Sequence, residues 1–183
     1  VEDGINGEPD DGMILHGLSV YQKENCDFLI ALGGGSPIDS MKAIAMLAVC
    51  GGRPADYMGK TVTRKLCPMA AVPTTAGTGS EATQFTIITD RGTQVKMLLK
   101  GPSLMPDLAV IDPAFTVTAP RGVTAATGVD ALTHAIEAYT SRKAQPLSDT
   151  FAVSACQRIF ASLRKVWEDG QDRDCLLYTS PSP

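Results

Sequence analysis

From Gly12 to Lys23 the apolar residues fall at Met13, Leu15, Leu18, Val20 and Tyr21, a roughly helical period, and the spacing predicts a helix. The run CDFLIAL (26–32) that follows is short, apolar and closed by glycines, and it predicts a buried strand. After GGGSPID the period returns in SMKAIAMLAVC, with Met41, Ile44, Ala45 and Ala48 on one face and Gly51-Gly52 as a stop, which predicts a second helix. PMAAVPTT (68–75) and DLAVID (107–112) read as further short strands; ATQFTIITD (82–90) alternates like an exposed antiparallel strand, with VKMLLK (95–100) as its partner. Strands alternating with helices predict an α/β layer. From Pro120 onward the strand pattern stops: Ala-rich, helix-periodic sequence runs from Val123 to Tyr139 and from Leu147 to Val166, so a domain boundary is expected near residue 119. The closing DCLLYTSPSP breaks the helical pattern, and residues 173–183 are expected to be a disordered, non-native tail.

Composition changes this picture only by exclusion. With 183 residues, 44% hydrophobic and 20% charged, the chain can bury an ordinary core. Its longest apolar run, AIAMLAVC (43–50), is far short of the ~20 residues that span a bilayer. A net charge of −4 without a cluster of Lys and Arg argues against nucleic acid and anionic membranes as partners. Five cysteines (Cys26, Cys50, Cys67, Cys156, Cys175) stand far apart without C-x-x-C spacing, which points to a reducing cytoplasm rather than a disulfide framework. The opening VEDGINGEPDDG has neither an initiating methionine nor the character of a signal peptide, and reads as the interior of a longer protein.

Three stretches can carry chemistry. In ALGGGSPIDSMKA (31–43), glycines after an apolar strand let the backbone approach a ligand, and the helix behind them offers free amides and the positive end of its dipole, which suits a phosphate. Ser36 can supply a hydroxyl and help cap that helix, with Pro37 and Asp39 in its first turn. Neither G-x-G-x-x-G nor the Walker pattern is present, and a capped glycine turn without a ligand is the competing reading. PTTAGTGSEAT (73–83) concentrates threonines, a serine and two glycines between two strands; it can present hydroxyls and amides to a polar ligand, or satisfy its own backbone as a Ser/Thr turn. In TGVDALTHAIEAYTS (127–141), a helix would bury Val129, Leu132, Ile136 and Tyr139 and gather Asp130, His134 and Glu137 on another face. A carboxylate and an imidazole one turn apart suit a divalent metal with open positions, such as Fe²⁺ or Zn²⁺, although a solvated helix face explains the same pair. His16, in an amphipathic helix beside Gly17, reads as a surface or boundary histidine.

Together and in this order, GGGSPID, PTTAGTGSEAT, ITD…VKM, MPDLAVIDP and TAATGVDALTHAIEAYTS resemble the iron-dependent (group III) alcohol dehydrogenase family, over nearly everything from Asp11 to about Asp172. The resemblance implies a Rossmann-like dinucleotide-binding α/β domain (1–119) followed by the start of an all-helical metal-binding domain (120–172). It implies Gly34, Gly35 and Ser36 against the cofactor pyrophosphate. Thr74, Thr75, Thr78 and Ser80 would line the pyrophosphate, ribose and nicotinamide end, and Lys96 would reach the ribose. Asp130 and His134 match the first two of four metal ligands, the other two being histidines further along the family's helical domain. NAD or NADP, and Fe²⁺ or Zn²⁺, are the implied cofactors, and a small alcohol or aldehyde is the implied substrate. Homo-oligomeric assembly at full length is expected. The implied chemistry is Lewis-acid activation of an alcohol and hydride transfer to nicotinamide, with no side chain here assigned as catalytic acid or base. Because an imidazole must be neutral to ligate, metal affinity is expected to fall in mild acid. Alternative readings are a non-catalytic nucleotide-binding piece, a zinc-dependent glycerol dehydrogenase, and a dehydroquinate-synthase-like lyase.

Overall fold

In the computed structural model, which describes residues 1–5 and 7–169, the Asp10 carboxylate accepts the Met13 amide (2.9 Å) and so opens helix α1, Asp11–Lys23. Strand β1 (Leu29–Gly33) runs directly into helix α2 (Gly35–Cys50). Then follow β2 (Met69–Pro73), β3 (Phe85–Thr89), β4 (Lys96–Lys100), the short β5 (Leu108–Ala109), α3 (Arg121–Thr140) and α4 (Pro146–Asp169). The expected tail, 173–183, lies outside the described residues.

The chain forms two compact units. The first is Val1–Val72 with Ser80–Val110; the second is Pro73–Gly79 with the chain from Ile111 onward. In the first, β1, β2 and β5 form one sheet in that order, with β2 and β5 parallel and Ala70 opposite Leu108. The expected β3–β4 hairpin is present, antiparallel, with Phe85 opposite Lys100 and Thr89 opposite Lys96.

Helix α2 is the centre of this unit. Ile38 and every residue from Ser40 to Leu47 are buried, as befits a helix apolar on all sides. One side, with Ala43, Ile44, Met46 and Leu47, packs with Ile14 of α1 and with Ile88, Met97 and Leu99 of the hairpin. The other, with Ile38, Met41 and Ala45, packs on Ala31, Met69 and Ala71 of the sheet. β1 is not buried on both faces, as its apolar run suggested: Ile30 and Leu32 are 62% and 60% exposed. α2 covers the Leu29/Ala31 side, and strand side chains alternate between faces.

In the second unit α3 packs along α4, and the buried stripe differs from the expected one. Val129, Ile136 and Tyr139 are about half exposed, whereas Thr124, Gly128, Ala131, Ala135 and Ala138 are buried. They face Ala152, Ala155, Ile159, Ser162 and Val166 of α4, and both sets step by alternate threes and fours. Small residues win because they let the helices approach: a Cβ on Gly128 would lie 2.3 Å from Leu163 Cδ1. Of the bulky stripe, Val129 and Leu132 instead line an apolar groove of about 400 Å³ with Phe160, Leu163 and Trp167. No helix among the described residues is long and apolar enough to cross a membrane.

Candidate functional site

The turn from β1 into α2 is tighter than the sequence suggested. Gly34 is the N-cap (φ −76°, ψ −159°) and Gly35 the first helical residue, so Ser36 lies inside the helix instead of capping it, and Asp39 lies beyond the first turn. Pro37 fits in that turn because its missing N–H has no helical partner to lose. Gly33 is required by the crossing: at φ +155° its Cβ would meet the Pro37 ring at 2.6 Å. No side chain caps the helix, so the first-turn amides of a 16-residue helix are left for an outside acceptor. That arrangement fits a phosphate.

Beneath this turn lies a buried polar cluster that reasoning from the sequence passed over. Lys42 is fully buried in the middle of α2, and its Nζ donates to Thr83 O (2.9 Å), Thr83 Oγ1 (2.9 Å) and Phe85 O (2.8 Å). Asp39 Oδ2 accepts the Ile87 amide (3.0 Å), and the Thr86 hydroxyl donates to the Asp39 carbonyl (2.8 Å). Burial pulls the Lys42 ammonium down to about 8, against the pull of Asp39 and Glu81. Burial also raises the carboxyls of Asp39 and Glu81, with Lys42 opposing both. The signal was present: a lysine inside the apolar helix SMKAIAMLAVC has no route to water unless it sits on an edge.

Ser80 is buried and opens the turn Ser80–Ala82 in the first unit. Lys96 begins β4 at an exposed position, where Glu8 takes its ammonium. His16 is exposed, as expected, and lies 3.2 Å from Glu2.

Thr74, Thr75 and Thr78 belong to the second unit, together with α3. Their loop rests on α3 itself: Thr74, Thr75 and Ala76 line a small cavity with Thr116, Thr124 and Thr127. On the same helix Asp130 Oδ1 stands 3.8 Å from His134 Nε2, with side chains 44% and 32% exposed. Two donors about 2.1 Å from one tetrahedral cation lie about 3.4 Å apart, so a small side-chain rotation would let both reach a metal. Among the described residues no third His, Cys, Asp or Glu joins them. The donor set fits half of a coordination shell. Glu137 is exposed on the following turn.

The profile of the iron-containing alcohol dehydrogenases matches residues 1–113, and that of the Fe-containing alcohol dehydrogenase family's C-terminal region matches 124–181. The chain belongs to the iron-containing alcohol dehydrogenase family. Within that family it is 43% identical to an NAD-dependent methanol dehydrogenase of Bacillus methanolicus, over 93% of this chain and 46% of the relative. It is 40% identical to a 1,3-propanediol dehydrogenase of Citrobacter freundii, over 98% of this chain and 48% of the relative. Among solved structures, an alcohol dehydrogenase from Oenococcus oeni superposes with a TM-score of 0.95 at 33% identity, over 98% of this chain and 48% of that one. The chain thus spans about half the length of the relatives it matches. The family match bears out the Rossmann-like α/β reading.

Gly35→Val tests the phosphate reading of the α2 turn. A branched side chain at the first helical residue should weaken NAD(P) binding by about tenfold or more, because it stands where the backbone amides must be approached. Fluorescence titration with NADH measures it, and equal dissociation constants for the two forms would refute the placement.

Proposed function

We propose that this chain is part of a metal- and NAD(P)-dependent alcohol dehydrogenase that moves a hydride between a small alcohol or aldehyde and the nicotinamide. The observation that carries the reading is the seating of the threonine loop on the same helix that presents Asp130 and His134. Gly34, Gly35 and Ser36 would hold the pyrophosphate through first-turn amides and one hydroxyl. Thr74, Thr75, Thr78 and Ser80 would bond the rest of the nucleotide, and Lys96 would exchange Glu8 for the ribose. NAD is favoured over NADP by the methanol dehydrogenase relative.

Asp130 and His134 would hold the metal, Fe²⁺ by family and Zn²⁺ by donor chemistry. When bound, a divalent ion supplies Lewis acidity toward the alcohol oxygen. The chain's own part is to keep one carboxylate and one imidazole aimed from a rigid helix and to hold the nicotinamide end over that helix, so that the reacting atoms meet at about 3 to 3.5 Å. The test is the full-length protein, loaded anaerobically with Fe²⁺ and followed by NADH absorbance across short alcohols. Silence over the whole panel, with metal and nucleotide bound, rejects the dehydrogenase.

The pairing of only two donors among the described residues also favours an inactive state for the 183-residue chain alone. Its affinity for Fe²⁺ or Zn²⁺ is expected to be weaker than about 10 μM, because two ligands make half a site. Calorimetric titration checks this, and tight one-to-one binding would contradict it.

A further inference from the structure

Gly77 is buried at the centre of the threonine loop, and its neighbour is a helix backbone. A Cβ at this position would lie 2.7 Å from Thr127 Cβ, 2.9 Å from Thr127 O and 3.0 Å from Thr127 Cα. Two of these three atoms are main chain inside α3 and cannot swing aside. Gly79, two residues on, needs glycine for its left-handed backbone (φ +63°), whereas Gly77 is outside that region. Space, not backbone conformation, therefore demands glycine at 77. The adjoining cavity, about 10 Å³, has room for one water and gives a displaced methyl nowhere to go.

Thr127 precedes Asp130 by three residues and His134 by seven, so all three lie on one face of α3. We propose that Gly77 is a positioning residue: by lacking a side chain it seats the Thr74–Thr78 hydroxyls on the turn of α3 that leads into Asp130 and His134. It thereby sets how far a bound redox nucleotide stands from the metal ligands. The proposal rests on the dehydrogenase reading above and adds to it a determinant that acts through the seat of the loop on α3. A methyl at 77 lifts the loop from α3 while leaving both half-sites intact. A shift of about 1 Å between reacting partners costs on the order of a hundredfold in rate.

The test uses the full-length protein with Mn²⁺ as a paramagnetic metal and NAD as the nucleotide. In Gly77→Ala, relaxation of the nicotinamide C4 proton by Mn²⁺ is expected to fall about threefold or more. Turnover at saturating substrates is expected to fall about thirtyfold, with the NAD dissociation constant and the metal content each within about threefold of wild type. A general loss of stability would lower the bound fraction instead and leave the relaxation of bound nucleotide unchanged. The Gly77→Ala/Thr127→Gly double variant removes the nearest obstructing atom and is expected to recover part of the relaxation. If the single variant does not fold, this double variant is compared with wild type by the same readouts. Relaxation and turnover in the variant equal to wild type overturn the positioning role alone. A wild-type protein that binds both Mn²⁺ and NAD without any relaxation between them overturns the dehydrogenase reading, and the proposal with it.

Discussion

His134→Ala in the full-length protein is expected to reduce turnover by about a thousandfold or more while changing the NAD(P) dissociation constant less than threefold. His134 stands on α3, one turn beyond Asp130, and its Nε2 lies 3.8 Å from the Asp130 carboxylate. Removing the imidazole leaves a lone, half-exposed carboxylate, and a transition-metal site that loses its nitrogen donor loses both affinity and orientation of its open position. The nucleotide contacts proposed at Gly34–Ser36 belong to a different turn of the fold, so binding and turnover should separate. Metal analysis of the purified variant with NADH-linked kinetics gives both readings. Turnover that survives the substitution would remove the metal role from this residue.

Lys42→Met is expected to destabilise the protein by about 3 kcal/mol at pH 7, and to do so more at pH 10. The substitution keeps the shape of the stem but strands two carbonyls and a hydroxyl that the ammonium now satisfies at 2.8 to 2.9 Å. Breaking a buried, hydrogen-bonded charge by removing one partner typically costs about 3 to 5 kcal/mol, and relief of the ammonium's own burial offsets part of it. The pH dependence follows from the depressed ammonium, at about 8 in the fold against 10.5 when free. Below pH 8 both states carry the proton. Between 8 and 10.5 the unfolded chain holds a proton that the folded lysine has released, so wild-type stability gains with rising pH from this group, by about 3 kcal/mol across the window. The methionine chain has no such gain. Denaturant unfolding of both proteins at pH 7, 8, 9 and 10 should show the gap between them widening, and a gap that stays level or narrows would count against a charged, buried Lys42. The raised thiol of Cys67 and the Tyr21 hydroxyl, pushed up to about 12 by burial, are common to both proteins and cancel in the difference.

How far the fold was legible depends on what each signal measures. Periodicity records which positions avoid water, and among the described residues it found the four α-helices and the five strands, whereas the short 3₁₀ turns such as Pro54–Tyr57, too brief to repeat a pattern, escaped it. It misjudged α3 because it ranks residues by bulk. In Val129, Ile136 and Tyr139 it saw a buried stripe, whereas the contact with α4 is made by glycine and alanines, whose worth is the close approach they permit. It misplaced the start of α2 because glycines read as turn, while here Gly34 caps the helix and Gly35 begins it. The Asp130–His134 pair was legible since i, i+4 spacing is local geometry. The Gly77–Thr127 contact was not, because fifty residues of chain separate two atoms that touch only after folding, and no local pattern encodes that.

The second unit draws on two separate stretches of chain, Pro73–Gly79 and everything from Ile111. A polypeptide begun at Ile111 would therefore keep both long helices yet bare the groove at Thr124 and Thr127 that the earlier heptapeptide fills. Such a piece could be restored by adding residues 73–79 back as a free peptide, in the manner of fragment complementation.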